Sequence, residues 1–294
     1  MKVTIITVAF NSAAYLEDCI QSVIGQRYHD IEHIIVDGGS TDGTLDIINQ
    51  YEGNIARWIS EKDSGMYDAI NKGMKMATGD VIGILNSDDM LATCDVISSI
   101  VNSFNRYKVG AVYGDIIYVH PVNTATIHRV WKGDEYNRQK FEYGWMPAHP
   151  SFYIRKSLIE KCGYYETHFF TAADYEFMTR YLYYHRVAAV YLPKLIVKMR
   201  VGGMSNKSIA RRLRANRRDY LAMKKNAIPY ALIVSILKPL RKLLQYRTKA
   251  IHSFSFKFNK PVKQPLFTPV NPVTHRSIGK YDSANLEPGM KTAG

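Results

Sequence analysis

The segment VIGILNSDD, residues 81–89, constrains this chain most: an apolar run long enough for one buried strand stops abruptly at two adjacent carboxylates, Asp88 and Asp89. Adjacent carboxylates at the mouth of a sheet repel each other and lose hydration unless a positive charge sits between them. A hard divalent ion with oxygen ligands suits that chemistry. Taken alone, the same pair also reads as a solvated turn, or as the cap of a helix over LATCDVISSIV.

The upstream sequence supplies the context. Residues 2–10, KVTIITVAF, form a β-branched run followed by Asn11 and Ser12, then by a helical pattern through Tyr15, Leu16, Ile20 and Val23. Residues 31–37, IEHIIVD, predict a second buried strand, closed by the glycine-rich turn GGSTDGT and a helix LDIINQY. A weaker third strand falls around ARWIS, and VIGILN is the fourth. Strands alternating with helices predict an α/β fold with a parallel sheet and right-handed crossovers. Ligands of such sheets gather at the carboxyl ends of the strands, where three polar clusters fall: residues 7–11, 37–42 and 87–89. The turn at Gly38 and Gly39 is not a phosphate-binding P-loop, because no GK[ST] follows, and it is not the GxGxxG dinucleotide turn. Asp37, an acid at a strand end, suits a base edge or a ribose hydroxyl. Ser40, Thr41 and Asp42 read first as a cap on the next helix.

In this order, TVAFN, VDGGSTDGT, SEKDSGMYDAINKG and ATGDVIGILNSDD resemble the nucleotide-binding half of a family 2 glycosyltransferase of the A-type fold. The likeness continues through HPSFYIR, GYYE, AADYEFMTR and RVGGMS. It implies a Rossmann-like, mostly parallel sheet flanked by helices, a nucleotide-sugar donor, a Mg²⁺ or Mn²⁺ ion, and single-displacement transfer with inversion at the anomeric carbon. By the same resemblance Asp37 binds uracil or ribose, and Thr7, Ala9 and Asn11 line the nucleotide cleft. Asp89 ligates the metal, Asp88 contacts the donor ribose or sugar, and Asp174 is the general base. The chain reads Ser-Asp-Asp where the family pattern is Asp-x-Asp, so Ser87 stands in place of the first carboxylate.

The residues themselves leave other readings beside these. An acid in the first turn of a helix, as Asp174 is, is favoured by the helix dipole without catalytic duty, and Glu176 points elsewhere on the same helix. In SEKDSG, Asp63 or Lys62 falls within reach of the nucleotide, although loop charges often only face solvent. His149, ahead of a predicted strand SFYIR, reads first as a structural hydrogen-bonding group. Trp131 and Trp145 bracket an acceptor loop over 119–148, or belong to the core.

At 294 residues and 46% hydrophobic content, the chain can build one large α/β domain with an appendage. Cys19, Cys94 and Cys162 lack CxxC spacing, which argues against a zinc site and against a disulfide scaffold. No charged n-region with an apolar h-region opens the chain, so a cytoplasmic location is expected. Residues 1–200 carry 20 Lys+Arg against 23 Asp+Glu, a net of −3, whereas residues 201–294 carry 19 against 3, a net of +16. The basic character therefore belongs to the C-terminal part. There SIARRLRANRRDYLAMKK sets Ile209, Leu213, Tyr220 and Met223 near one face with arginines opposite, and YALIVSILKPLRKLLQY adds Lys238, Arg241 and Lys242. Such a stretch reads as a membrane-surface segment or as a helix packed on the domain. Its apolar run is too short for a spanning helix.

The expected organisation is a catalytic domain over 1–204, divided into a nucleotide-binding half (1–90) and an acceptor half (91–204). A basic amphipathic helical segment (205–250) and a flexible tail (251–294) follow. The expected activity is inverting transfer from a nucleotide sugar, UDP-linked, to a hydroxyl of a glycan acceptor. That acceptor is expected to be lipid-linked at the inner leaflet, in surface polysaccharide or lipopolysaccharide assembly, with the enzyme peripheral to the inner membrane face. A nucleotidyltransferase is the alternative enzyme, but no GxGxR-like loop follows the first strand. A non-catalytic scaffold for the basic segment is the other alternative. No nucleic acid is expected as a partner, since no recognised module accompanies the basic region.

Overall fold

A computed structural model describes residues 1–202 and 209–236 of the chain, with the side chains of residues 209–214 outside the description. Strands β1 (Val3–Ala9), β2 (Ile31–Asp37), β3 (Arg57–Ser60) and β4 (Val81–Asn86) lie parallel in the order β3-β2-β1-β4. Every residue of β1 is buried. Helices cover both faces of such strands, which is why these segments read as continuous apolar runs rather than alternating ones. Helices α1 (Leu16–Ile24), α2 (Thr44–Gln50) and α3 (Met66–Met76) make the crossovers. Helix α1 buries Leu16, Cys19, Ile20 and Val23, a stripe at helical spacing. Helix α3 sits so close to β1 that a Cβ at Gly73 would collide with the Ile6 side chain. In register, Ala9 pairs with Asp37 and Val8 with Asn86, so three strands end on one rim.

Past β4 the sheet becomes mixed. A two-residue strand β5 (Met90–Leu91) and helix α4 (Val96–Tyr107) come next, then β6 (Ala111–Val119) and β7 (Ile127–Trp131). Strand β8 (Tyr153–Arg155) runs antiparallel to both β4 and β6, and so joins the two halves into one sheet. Strand β9 (Ala189–Arg200) lies parallel to β6 and antiparallel to β5. Because β5 intervenes, Asp88 and Asp89 do not cap α4, and that reading of the acidic pair falls away. Trp145 packs edge-on against Tyr113 and Phe141, and Trp131 packs against the core cluster built on β1, β4 and α4.

Short helices α5 (Ser157–Cys162) and α6 (Ala173–Met178) precede β9, and α7 (Ile209–Lys225) follows it. Helix α7 packs on α6 and on the tight 3₁₀ segment Thr167–Ala172. Ala222, Met223, Ile228 and Val234 enter the same core as Tyr175, Phe177 and Tyr181. Buried Glu176 of α6 pairs with Arg180 at 3.0 Å and with Lys225 at 3.3 Å, and the Asn226 amide donates to it as well. The first part of the basic segment is thus a packed element, with Met223 inward as its spacing predicts and Leu221 outward. The expected tail over 251–294 and the basic residues beyond 236 lie outside the described residues. Among the described residues, no helix is long and apolar enough to cross a membrane.

Candidate active site

The rim begins at the β2 turn. Asp37 is fully buried, and its Oδ2 accepts from the backbone N–H groups of Gly39 (3.0 Å) and Ser40 (2.9 Å) and from the Ser60 hydroxyl (2.7 Å). Its Oδ1 accepts from the Ser40 hydroxyl. The carboxylate therefore shapes the glycine turn, and the expected contact with uracil or ribose requires one of these donors to give way. Gly38 has no side chain because Asp63 lies over it: a Cβ there would stand 2.6 Å from Asp63 Oδ2. Asp63, whose Oδ1 accepts from the Gly65 N–H, is thereby brought to the same turn as Asp37.

Short polar bridges stitch the three strand ends together. The Asn11 N–H donates to the Ser40 hydroxyl (2.7 Å), and the Thr41 N–H donates to Asn11 Oδ1 (3.0 Å). The Ser12 and Ser87 hydroxyls meet at 2.8 Å, tying β1 to the acidic pair. Asp42 accepts from the Thr44 and Ala13 N–H groups, but the N-cap of α2 is Gly43 without a side-chain cap and Ser40 is spent on Asp37 and Asn11, so residues 40–42 do not cap the helix as expected. Ala9 stands at the rim, where its carbonyl accepts from the Gly38 N–H. Thr7 departs from expectation: its hydroxyl is buried beneath α1 against His33 Nε2 (3.0 Å) and Cys19 Sγ, not in the cleft. The cause is strand parity, since Val3, Ile5 and Thr7 share the face that α1 and α4 cover. Phe10, which sequence reasoning passed over, is 63% exposed beside Gly38 and offers a flat apolar face at the rim.

The acidic pair is the most strained electrostatic feature of the rim. Asp89 is 1% exposed; the Asn86 amide donates to its Oδ2 at 3.0 Å, while its Oδ1 is buried without a hydrogen-bond partner. Burial, and next the neighbouring Asp88 charge, push the Asp89 carboxyl well above the usual carboxylate range, against Asn86 and Arg200. Burial raises Asp88 too, with Arg200 opposing. Arg200 itself arrives from the end of β9. Its guanidinium donates to the Asp88 and Pro121 carbonyls, each at 2.9 Å, pairs with Asp18, and lies over the Tyr15 ring. The Arg200 guanidinium, spent on two carbonyls and on Asp18, does not satisfy Asp89. No group of three or more His, Cys, Asp or Glu gathers around a metal position among the described residues. A buried, unpartnered carboxylate oxygen nonetheless fits a divalent ion whose other ligands are phosphate oxygens and water.

Asp174 lies in the first turn of α6, where its Oδ1 accepts from the Tyr175 N–H at 2.7 Å. The Tyr67 hydroxyl lies close to Asp174 and is driven well above its ordinary pKa by burial and then by the Asp174 charge. Tyr67 stacks on Tyr165, and the Tyr165 hydroxyl meets His149 Nε2 at 2.7 Å. Burial lowers the His149 pKa against the pull of Asp174, which keeps the imidazole neutral. Asn71 of α3 donates to the Tyr165 carbonyl (2.8 Å) and accepts from the Tyr165 N–H (3.0 Å). Helix α3 therefore carries the rim from the Asp63 loop to Asp174. Phe170, four residues before Asp174, is exposed at a left-handed backbone position (φ 49°) with Arg218 of α7 over its ring. Asp219 is close enough to raise the pKa of Tyr67 and Tyr175.

The structure thus gathers Ala9, Asn11, Asp37, Asp63, Asp88 and Asp89 along one rim, brings Asp174 to its α3 end, and leaves Thr7 outside. Phe10, Tyr67, Tyr165, Arg200 and the α7 face were missed by sequence reasoning. An aromatic residue ending an apolar run was a readable sign for Phe10, whereas the others depend on contacts between distant segments.

Residues 4–163 match the family model described as glycosyl transferase family 2. An uncharacterized glycosyltransferase of Mycobacterium tuberculosis is 34% identical over 181 residues, which is 60% of this chain and 68% of the relative. A PGL/p-HBAD biosynthesis glycosyltransferase of Mycobacterium bovis is 30% identical over 208 residues, 69% of this chain and 78% of the relative. Among solved structures, S. aureus TarS 1–349 in complex with UDP-GlcNAc aligns with a TM-score of 0.64 at 16% identity, covering 87% of this chain and 76% of that one. The mannosyltransferase PcManGT from Pyrobaculum calidifontis, in complex with GDP-Man and Mn²⁺, aligns with a TM-score of 0.57 at 18% identity, covering 86% and 78%. At such identities the structural likeness is one of fold.

Proposed function

Because this chain belongs to glycosyl transferase family 2, we propose that it is an inverting, metal-dependent enzyme moving a sugar from a UDP-sugar to a hydroxyl of a glycan acceptor. The observation that carries this reading is the buried, unpartnered Asp89 Oδ1 on a rim that also bears Asp174. The UDP-GlcNAc bound to TarS and the GDP-Man and Mn²⁺ bound to PcManGT support a nucleotide-sugar donor and a divalent ion.

In this reading Phe10 offers its ring face to the base, and the turn built by Asp37, with Asp63 beside it, borders the ribose. Asp89 would hold Mg²⁺ or Mn²⁺ with Asp88 adjacent, and Arg200 fixes the loop by gripping the Asp88 carbonyl. When bound, the ion would neutralise the charge that develops on the departing diphosphate. Asp174 takes the proton of the acceptor hydroxyl as that oxygen attacks the anomeric carbon from the side opposite the diphosphate, which inverts the centre. A neutral His149 suits that duty: an imidazolium beside Asp174 would pair with it and weaken it as a base. The acceptor we assign is a lipid-linked glycan at the inner membrane face, in surface polysaccharide or lipopolysaccharide assembly. The 19 basic against 3 acidic residues after position 200 support that assignment.

Replacing Asp174 with Asn is expected to lower transfer by about 10²- to 10⁴-fold while UDP affinity, read by calorimetry, stays within a few-fold. Undiminished transfer would move the base to another residue.

A further inference from the structure

At the C-terminal end of the described chain the surface changes character. After Pro229 the chain is helical over 231–236, buries Val234 and Ser235, and turns Leu232, Ile233 and Ile236 outward. Leu232 and Ile236 are each 62% exposed, and Tyr230 is 79% exposed beside them. A groove of about 450 Å³, lined by Tyr220, Lys224, Ile228, Tyr230, Leu232 and Ile233, runs into this face. Singly exposed apolar residues are ordinary, but a contiguous set around an apolar groove marks an interaction surface.

Charge selects what it meets. No Asp or Glu occurs between Asp219 and Asp282, and although Lys225 is paired with Glu166 and Glu176, Lys224, Lys238, Arg241 and Lys242 fall close to the apolar residues in sequence. An apolar face with an interfacial tyrosine and Lys224 beside it, in a stretch of sequence without acidic residues, matches the headgroup boundary of an anionic bilayer. A protein partner of the same fit would need an acidic rim around an apolar centre.

We propose that residues 220–236 are the edge by which this protein docks on an anionic phospholipid bilayer. Leu232, Ile233 and Ile236 enter the acyl boundary, Tyr230 sits at headgroup level, and the groove receives the glycerol end of a lipid chain with Lys224 toward its phosphate. Helix α7 runs from this edge to Arg218 over Phe170 and to Asp219 beside Tyr67 and Tyr175. Docking therefore holds the wall next to Asp174 at the membrane surface. This deepens the lipid-linked reading of the acceptor, yet docking itself can be measured without any acceptor.

The test is co-sedimentation of the full chain with phosphatidylcholine vesicles, with and without phosphatidylglycerol. Binding is expected to require phosphatidylglycerol, and Leu232→Asp combined with Ile236→Asp is expected to lower it at least about tenfold. Both side chains are exposed, so the melting temperature and the hydrolysis of UDP-sugar should not change. Equal binding of the double variant and the parent overturns the proposal, as does equal binding to neutral vesicles. If sedimentation velocity shows a parent dimer that the double variant loses, with no vesicle binding by the parent, the face belongs to a second copy and the proposal fails. Absence of nucleotide-sugar hydrolysis in the parent would instead overturn the transferase reading and leave the vesicle result standing.

Discussion

Two buried carboxylates at opposite ends of the same sheet behave in opposite ways. Glu32, near the start of β2, is 2% exposed and accepts from the Thr4 hydroxyl (2.6 Å), the Thr78 N–H (2.7 Å), the Thr78 hydroxyl (2.6 Å) and the Lys2 ammonium (3.2 Å). Burial alone would raise its pKa, but these donors bring it down to about 2. Asp89, just past the end of β4, is as little exposed to solvent but lies deeper, and its pKa is driven upward by burial and by Asp88. At Glu32 the donors outweigh burial, whereas at Asp89 deep burial and the Asp88 charge outweigh the few donors. One end of the sheet satisfies its acid completely and gains stability there; the other leaves an acceptor open, and an open buried acceptor is where a ligand has something to add.

The largest expected effect lies at the open end. Asp89→Asn should reduce sugar transfer by about a thousandfold or more without lowering the melting temperature, because it removes a poorly compensated buried charge. A clear fall in melting temperature would show that Asp89 is as structural as Glu32 and would erase the contrast. Glu32→Gln should behave in reverse. It is expected to cost about 2–4 kcal/mol in chemical denaturation, with turnover per folded molecule retained; a loss below about 0.5 kcal/mol would mean the four donors find other partners.

Acidity separates the two ends more gently. Glu32 has a depressed pKa when folded, so its stabilisation is present above the ordinary glutamate pKa and is lost as the pH falls toward about 2. Asp89 has a raised pKa when folded. Its contribution is therefore present below the ordinary aspartate pKa and disappears as the pH rises through the raised value. A divalent ion competes with that proton. The thermal stabilisation given by added Mn²⁺ should thus grow with pH across the window above the ordinary aspartate pKa, by at most about 1.4 kcal/mol per pH unit. A gain that is flat across this window in differential scanning fluorimetry would place the ion away from Asp89.

The same contrast explains what could be read from the amino acids alone. Strands β1, β2 and β4 are covered on both faces, so each is mostly apolar, interrupted in β2 by Glu32 and His33, and polar residues that end the strands fall on the rim. Asp89 was legible because charge follows VIGILN directly. Thr7 was not: which face of a strand a residue occupies depends on how the sheet is covered, and a change of one position reverses it. Asp37 was found at the correct strand end, but the backbone donors of Gly39 and Ser40 that occupy it are invisible in a string of side chains. The mixed half was harder still. Strand β5 has two residues and β8 has three, too few for a period, and Arg200 reaches Asp88 across 112 positions. In α7 the arginines announced a solvent face, while Ala222 and Met223 decide how the helix seats.

The carboxamide of Asn71 imitates a neighbouring strand, offering Tyr165 both halves of a main-chain pairing. Because α3 also begins at the loop that overlies Gly38, a single rigid rod ties the Gly38 turn to the segment that leads into α6. The span between those two attachments is a property of a helix, so the surrounding loops are free to vary without altering it.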